Sequence, residues 1–278
     1  MAILSPEDTE SLSRFALRLA EAAGRVILPR FAQLPEVMEK PGGGKGFDPV
    51  TEADREAEAV MRRMITEAFP DHGISGEEME ERKAESPFRW VLDPLDGTRA
   101  FVYGLPTWMT LVALLHEDRP VIGVAHQPLL GESWLGTEDG AWKMDAQGRH
   151  PLSTRQPRPL AEALAGTTLP EIYRDARERH VLNVMRTKTR MLRHDADAWF
   201  YVLVAAGRID IALDTRLAPY DIAALIPIVR GAGGVVTDWD GRPDPLGGRV
   251  IAASGPELLD EALRLMRPPQ DAPRKGTG

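Results

Sequence analysis

The chain has 278 residues, a formal net charge of -8 and no cysteine. Without thiols there are no disulfides, thiolate metal sites or cysteine nucleophiles, and the acidic balance argues against general nucleic-acid binding, leaving room only for a local basic patch. Hydrophobic residues make up 43% of the chain, enough for one large α/β unit or two subdomains sharing a cleft. No apolar run reaches membrane-spanning length, and the opening Met1-Ala2-Ile3-Leu4-Ser5-Pro6-Glu7-Asp8 is acidic rather than signal-like, so the expected compartment is the cytoplasm, with no membrane partner.

The first expected element is a helix opened by Ser5 as cap, Pro6 at its first position and Asp8 as capping-box acid. Its core stripe is Leu12, Phe15, Ala16, Leu19, Ala23, Val26 and Ile27, and Pro29 should end or kink it. The loop from Lys40 to Gly46 lacks P-loop spacing, although Lys40 or Lys45 could swing towards a phosphate. Asp48 to Asp54 leads into a second amphipathic helix buried through Ala57, Val60, Met61, Met64, Ile65 and Ala68. Asp54 sits in its first turn, where the helix dipole favours a carboxylate with no further chemistry. Gly76 precedes the paired acids Glu77-Glu78, one of which could enter a cleft; the run Glu80-Glu81-Arg82-Lys83 reads as a solvated face.

The stretch Trp90-Val91-Leu92-Asp93-Pro94-Leu95-Asp96-Gly97-Thr98 carries the strongest chemical signal. A short apolar strand, Arg89 to Leu92, should stop at Pro94, which lacks a backbone donor. Asp93 and Asp96 then lie at a strand end, Gly97 permits close backbone approach, and Thr98 can cap a following helix. Hard carboxylate oxygens beside a helix start read as a Mg²⁺-and-phosphate site, against the alternative of two loop-capping aspartates. Strands follow at Thr110–Leu115, Val121–Ala125 and Glu132–Gly136, with turns at Glu117-Asp118, Asp139-Gly140 and Gln147-Gly148. Arg155 to Pro159 reads as a linker, giving an N-terminal α+β subdomain over 1–155 and a C-terminal α/β subdomain over 156–267. Strands are expected near Met191, at Ile209–Leu213, Val235–Thr237 and Val250–Ala253, with a disordered tail over 268–278.

Asp48-Pro49-Val50-Thr51-Glu52-Ala53-Asp54, Gly76-Glu77-Glu78, Asp93-Pro94-Leu95-Asp96-Gly97-Thr98, Pro219-Tyr220-Asp221-Ile222-Ala223-Ala224 and the segment Gly231 to Gly241 follow one another as in the inositol monophosphatase family. The resemblance spans residues 5 to 266. It implies a sandwich of alternating helix and sheet layers, as in fructose bisphosphatases. It also implies a Mg²⁺-dependent phosphomonoesterase with two to three ions per site. By resemblance, Glu77, Asp93, Asp96 and the Leu95 carbonyl bind one ion; Asp93, Asp96 and Asp221 bind a second; a weaker third lies near Glu77. Thr98 and Asp54, with Glu77, would be the catalytic group that positions a metal-activated water, while Asp96, Gly97 and Thr98 face the phosphate. The early family lysine matches either Lys40 or Lys45. Family members commonly form homodimers.

The run Asp96-Gly97-Thr98-Arg99-Ala100-Phe101 and the continuation of the Pro219 motif through Pro227 look most like the bacterial histidinol-phosphate phosphatase branch. The expected substrate contacts are Arg99, Asp197 and Asp214. Asp197 would pair with the substrate ammonium, or else serve only as a helix-start carboxylate. Asp214 stands where relatives have the longer Glu. The expected substrate is L-histidinol phosphate; alternatives are inositol 1-phosphate or a broad set of sugar phosphates. In another class altogether, the protein would be an RNA-polymerase accessory protein, as one bacterial family member is. The complete carboxylate set disfavours that last reading.

Overall fold

The computed structural model describes residues 4–33, 38–39, 49–50, 52–83 and 85–268. Lys40, Lys45, Asp48, Thr51 and the expected tail from 269 onward lie outside the described residues. Helix α1 (Pro6–Phe31) opens as its sequence dictates, with the Ser5 hydroxyl accepting from Asp8 N. Pro29 sits within its last turn and neither stops nor shortens it before Phe31. Two-residue strands β1 (Met38–Glu39) and β2 (Pro49–Val50) pair antiparallel ahead of helix α2 (Glu52–Ala68). On α2, Met61 and Ile65 are buried as expected, but Ala68 is exposed and Glu58 lies wholly inside.

A seven-stranded sheet follows. Strands β3 (Gly73–Gly76) and β4 (Phe88–Asp96) run parallel; helix α3 (Thr98–Tyr103) then leads to β5 (Met109–His116) and β6 (Arg119–Gln127). Strands β7 (Glu132–Thr137), β8 (Gly140–Asp145) and β9 (Gly148–Pro151) complete a meander in which each strand pairs antiparallel with the last. The Glu117-Asp118 turn has both residues at positive φ, the conformation a tight hairpin demands. The expected linker is tied down: the Arg155 guanidinium donates to the carbonyls of Gly207 and Arg208 and to Asp210.

The second sheet is assembled from β10 (Leu164–Gly166), which no sequence signal marked, and, after helix α4 (Ala176–Lys188), β11 (Met191–Arg193). Helix α5 (Ala198–Ala205) precedes β12 (Ile211–Leu217). Short α6 (Pro219–Ile222) and α7 (Leu225–Gly231) come next, then β13 (Val235–Asp238), β14 (Gly248–Ala253) and helix α8 (Pro256–Met266). The strand order is β11-β10-β12-β14-β13.

Side-chain alternation along the strands builds the layers. On β5, Val112 and Leu114 face α1 and α2, whereas Leu111, Ala113 and Leu115 face α5 and α7. On β14, Val250 and Ala252 join that same central layer, whereas Ile251 and Ala253 face α4 and α8. The fold is therefore helix, sheet, helix, sheet, helix, with both sheets covered on two faces. Two glycines let the central helices approach. A Cβ on Gly123 of β6 would stand 1.9 Å from Ala224 O, and one on Gly136 of β7 would stand 2.2 Å from Ile228 N. The segment just after Asp221 is thus seated directly on the first sheet.

Because Gly123 meets backbone rather than a movable side chain, Gly123→Ala should cost about 3 kcal/mol of unfolding free energy through overpacking. Urea denaturation measures it, and an unchanged midpoint would mean that Ala224 does not rest on β6.

Candidate active site

Strand β4 does not stop at Pro94 as its sequence suggests; it continues to Asp96. Asp93 pairs with Leu111 and Asp96 with Met109, so three steps on β4 match two on β5. This bulge accommodates the missing proline N–H, and Thr110 Oγ1 donates to Pro94 O at 2.8 Å. It also has a chemical consequence. Residues three apart in a regular strand point to opposite faces, and the extra residue returns Asp93 and Asp96 to one side. Leu95 N donates to Asp93 Oδ1 at 3.0 Å, fixing that carboxylate.

The parallel register sets Gly76 beside Leu92, which carries Glu77 towards Asp93. Asp221 arrives from the other sheet, beyond β12, with its Oδ2 accepting from Ala218 N at 2.6 Å. One carboxylate oxygen from each of Asp93, Asp96 and Asp221 lies within 4.8 Å of the other two. Burial pushes both Asp93 and Asp96 well above the ordinary carboxylate range. For Asp93 the charges of Glu77, Asp96 and Asp221 add to the shift; for Asp96 it is Asp197, Asp221 and Glu77. Three hard-oxygen acids crowded together, Asp93 almost wholly out of water, are the donor set of a divalent cation, and these residues fit one.

These acids open on a cavity of about 300 Å³ whose lining includes Glu77, Asp93, Leu95, Asp96, Gly97, Thr98, Arg99, Asp197, Asp214 and Asp221. Among the described residues the fold thus brings together every expected site residue except Asp54, which is buried in the first turn of α2 outside that lining. Thr98 begins α3 but does not cap it. Gly97 occupies the cap at φ 81°, and Thr98 Oγ1 instead donates to Leu95 O at 3.1 Å.

Asp197 precedes α5 at φ 40°, and its side chain makes no capping bond. The cap comes from the other sheet: Asp96 Oδ2 accepts from Ala198 N at 3.0 Å. Asp197 is therefore free of the helix-start role. Burial raises its pKa, while the Thr168 hydroxyl and the Arg99 charge oppose that shift. Asp214 is almost wholly buried at the cavity floor. Its Oδ1 accepts from Thr167 Oγ1 at 2.9 Å and Thr168 N at 2.7 Å, and Oδ2 faces Tyr201 OH at 3.2 Å. Burial lifts it to about 7, against the pull of the Thr168 N–H.

Sequence reasoning missed Thr168, Arg174, Tyr201 and Arg216, which also line the cavity. No local pattern marks them; they meet only in three dimensions. Nor is Arg82 part of a solvated run: it donates to Thr66 Oγ1 and to the carbonyls of Phe69, Pro70 and His72. Trp108 and Trp199 pack, the first against Phe101 and the second against Trp134, as their surroundings dictate.

A carboxyl raised from about 4 in the unfolded chain to about 7 in the folded one holds its proton better when folded. It therefore erodes stability as pH climbs through that window, and the loss levels off above it. Asp214→Asn, its amide turned towards Tyr201, should remove this contribution. In chelator, urea midpoints of the variant should gain on the wild type between pH 4 and 7 (about these values), whereas parallel profiles would contradict the assignment.

Comparison with known proteins agrees with this geometry. The family model described as "Inositol monophosphatase family" matches residues 8–268. The bifunctional phosphatase IMPL2 of Arabidopsis thaliana is 38% identical over 240 residues, 84% of this chain and 67% of that protein. A histidinol-phosphatase of Chlorobaculum parvum is 35% identical, over 87% of this chain and 91% of its own. The solved inositol monophosphatase of Zymomonas mobilis superposes with a TM-score of 0.80 at 36% identity, covering 92% of this chain and 98% of that one. The chain belongs to the inositol monophosphatase family, which is generally metal-dependent and whose phosphatases act on small phosphate esters.

Proposed function

We propose that this phosphatase hydrolyses L-histidinol phosphate to L-histidinol and phosphate, using Mg²⁺ held by Glu77, Asp93, Asp96, Asp221 and the Leu95 carbonyl. The observation that carries the reading is Asp197: a half-buried carboxylate on the cavity wall, relieved of capping α5 by Asp96. The leaving group of histidinol phosphate bears a primary ammonium, and a carboxylate in a poorly solvated wall binds such a cation through a charge-assisted hydrogen bond. The ammonium would also oppose the burial that raises the Asp197 pKa.

Bound Mg²⁺ supplies Lewis-acid polarisation of the phosphoryl group and a lowered pKa for the attacking water. The rest falls to the chain. Thr98 spends its hydroxyl proton on Leu95 O, so its lone pairs are presented to a hydrogen-bond donor such as water. In our reading Thr98 and Glu77 orient that water, and Asp54, buried outside the cavity lining, acts on it only through its neighbours. The N–H groups of Gly97 and Thr98, at the positive-φ turn opening α3, receive charge developing on the phosphoryl oxygens. Arg99 flanks the same wall. In our reading water attacks in line without a covalent enzyme intermediate, which also fits a chain with no cysteine and no nucleophile-elbow serine.

A second reading, inositol 1-phosphate or a broad range of sugar phosphates, is favoured by the Zymomonas mobilis enzyme, which is as similar as the histidinol-phosphatase. Among the described residues no helix is long and apolar enough to cross a membrane. Phosphate release across histidinol, inositol, sugar and nucleotide phosphates, with Mg²⁺ and with chelator, separates these readings. A Mg²⁺-dependent preference for histidinol phosphate supports the first; Mg²⁺-dependent release led by another ester moves the specificity. No release from any ester would contradict both and favour the polymerase-accessory role.

Asp93→Asn and Asp221→Asn should lower kcat by at least about 10³-fold with the fold intact by circular dichroism, since a neutral amide is a weaker ligand; full activity would refute the cation assignment. Asp197→Ala should reduce kcat/KM for histidinol phosphate by about 10- to 100-fold, the worth of one charged hydrogen bond, and leave inositol 1-phosphate nearly unaffected. An equal loss on both esters would remove Asp197 from recognition.

A further inference from the structure

Glu58 lies on α2 beneath the loop that carries Glu77, and its carboxylate is wholly buried. Oε2 accepts from Glu78 N at 2.7 Å, immediately after Glu77. Oε1 accepts from Arg62 Nε at 2.7 Å, and Arg62 Nη2 reaches on to Met79 O at 3.1 Å. On the other side of Glu77 the packing is equally close: a Cβ on Gly76 would stand 2.2 Å from Glu58 Oε1. One carboxylate therefore touches the residue before Glu77 and bonds the residue after it. The Arg62 arm extends the grip one residue further.

We propose that Glu58 is a positioning residue that sets the cation affinity of the site by fixing the backbone on both sides of Glu77. The inference rests on the reading of Glu77 as a cation ligand. Its physical basis is the register of β3 on β4. Pairing ends at Gly76 and Leu92, so nothing in the sheet itself holds residue 77 beside Asp93. The Glu78 N–H has left the ladder, and Glu58 supplies the acceptor that a next strand residue would have found. A charged acceptor makes this a strong bond, and its own charge is balanced by Arg62 at the following helical turn. Without that grip the loop keeps fewer restraints, the Arg55–Glu78 ion pair at 3.9 Å among them, so the Glu77 carboxylate is held less firmly beside Asp93 and each bound cation must restore the order at the expense of affinity.

Two variants displace the same contact by different routes. Glu58→Gln replaces one acceptor oxygen with an amide NH₂, so either Glu78 N–H or Arg62 Nε–H loses its partner. Gly76→Ala keeps Glu58 but drives its carboxylate aside. Isothermal titration with MgCl₂ alone, run on wild type, both variants and Glu77→Gln, reads cation affinity directly. Melting in chelator reads stability separately.

Both Glu58→Gln and Gly76→Ala should raise the Mg²⁺ dissociation constant by about 10- to 100-fold, the usual effect of removing a residue that orients a ligand, whatever their chelator melting points. In assays the loss should appear as a higher Mg²⁺ requirement, with kcat at saturating Mg²⁺ largely retained. Wild-type Mg²⁺ affinity in the variants would overturn the proposal, even with lowered melting points, and leave Glu58 a purely structural staple. Should Glu58→Gln fail to fold, Gly76→Ala decides alone. If Glu77→Gln itself binds Mg²⁺ like the wild type, the premise about Glu77 is wrong and the proposal falls with it, whereas loss in Glu77→Gln alone refutes only the role of Glu58.

Discussion

Asp96 faces two ways, and the site depends on it. Its backbone closes β4 in the seven-stranded sheet, while its Oδ2 accepts the first free N–H of α5, which belongs to the central helical layer. A carboxylate at a helix N-terminus is stabilised by the helix dipole, and here the acid comes from a distant segment instead of the residue before the helix. That exchange releases Asp197 from the helix-start role at the cavity wall and ties the first sheet to the central helical layer at the point where Asp93, Asp96 and Asp221 meet.

The rest of the architecture can be read as support for that meeting. Packed sheets with apolar residues on both faces exclude water from the ends of β4 and β12, so the acids there feel one another strongly. Buried like charges oppose folding unless a cation or a proton relieves them. The fold tolerates this because the central layer is tightly seated: Gly123 and Gly136 admit the Ala224–Ile228 backbone against the first sheet, which fixes Asp221 relative to Asp93. In the proposed reading, specificity and chemistry would occupy different walls of one cavity. The acids of the candidate cation site enter from the end of β3, β4 and α6, and the facing wall is built from the start of α5, β12 and the loop at Thr168.

Much of this was legible in the residues because the relevant signals are local. Ser5-Pro6 opens α1, Glu117-Asp118 turns a hairpin, and Asp93-Pro94-Leu95-Asp96-Gly97-Thr98 announces a strand end with two acids. What was not legible required partners remote in sequence. Pro94 reads as a stop until Thr110 and the bulge opposite β5 are in view. Thr98 reads as a cap until Gly97 is seen to take the left-handed turn itself. Arg82 reads as surface charge, yet four oxygens from residues 66 to 72 converge on it. Glu58 is the sharpest case: a charged residue on an amphipathic helix is expected outside, and only the glycine at position 76 makes room for it within.

The most direct test of the account is the anomalous scattering of crystals grown with Mn²⁺ in place of Mg²⁺. The account places a peak among the carboxylates of Asp93, Asp96 and Asp221, with Glu77 and the Leu95 carbonyl within reach of the same or a neighbouring ion. A fully occupied peak elsewhere, with those three carboxylates bare and the cavity unchanged, would contradict it.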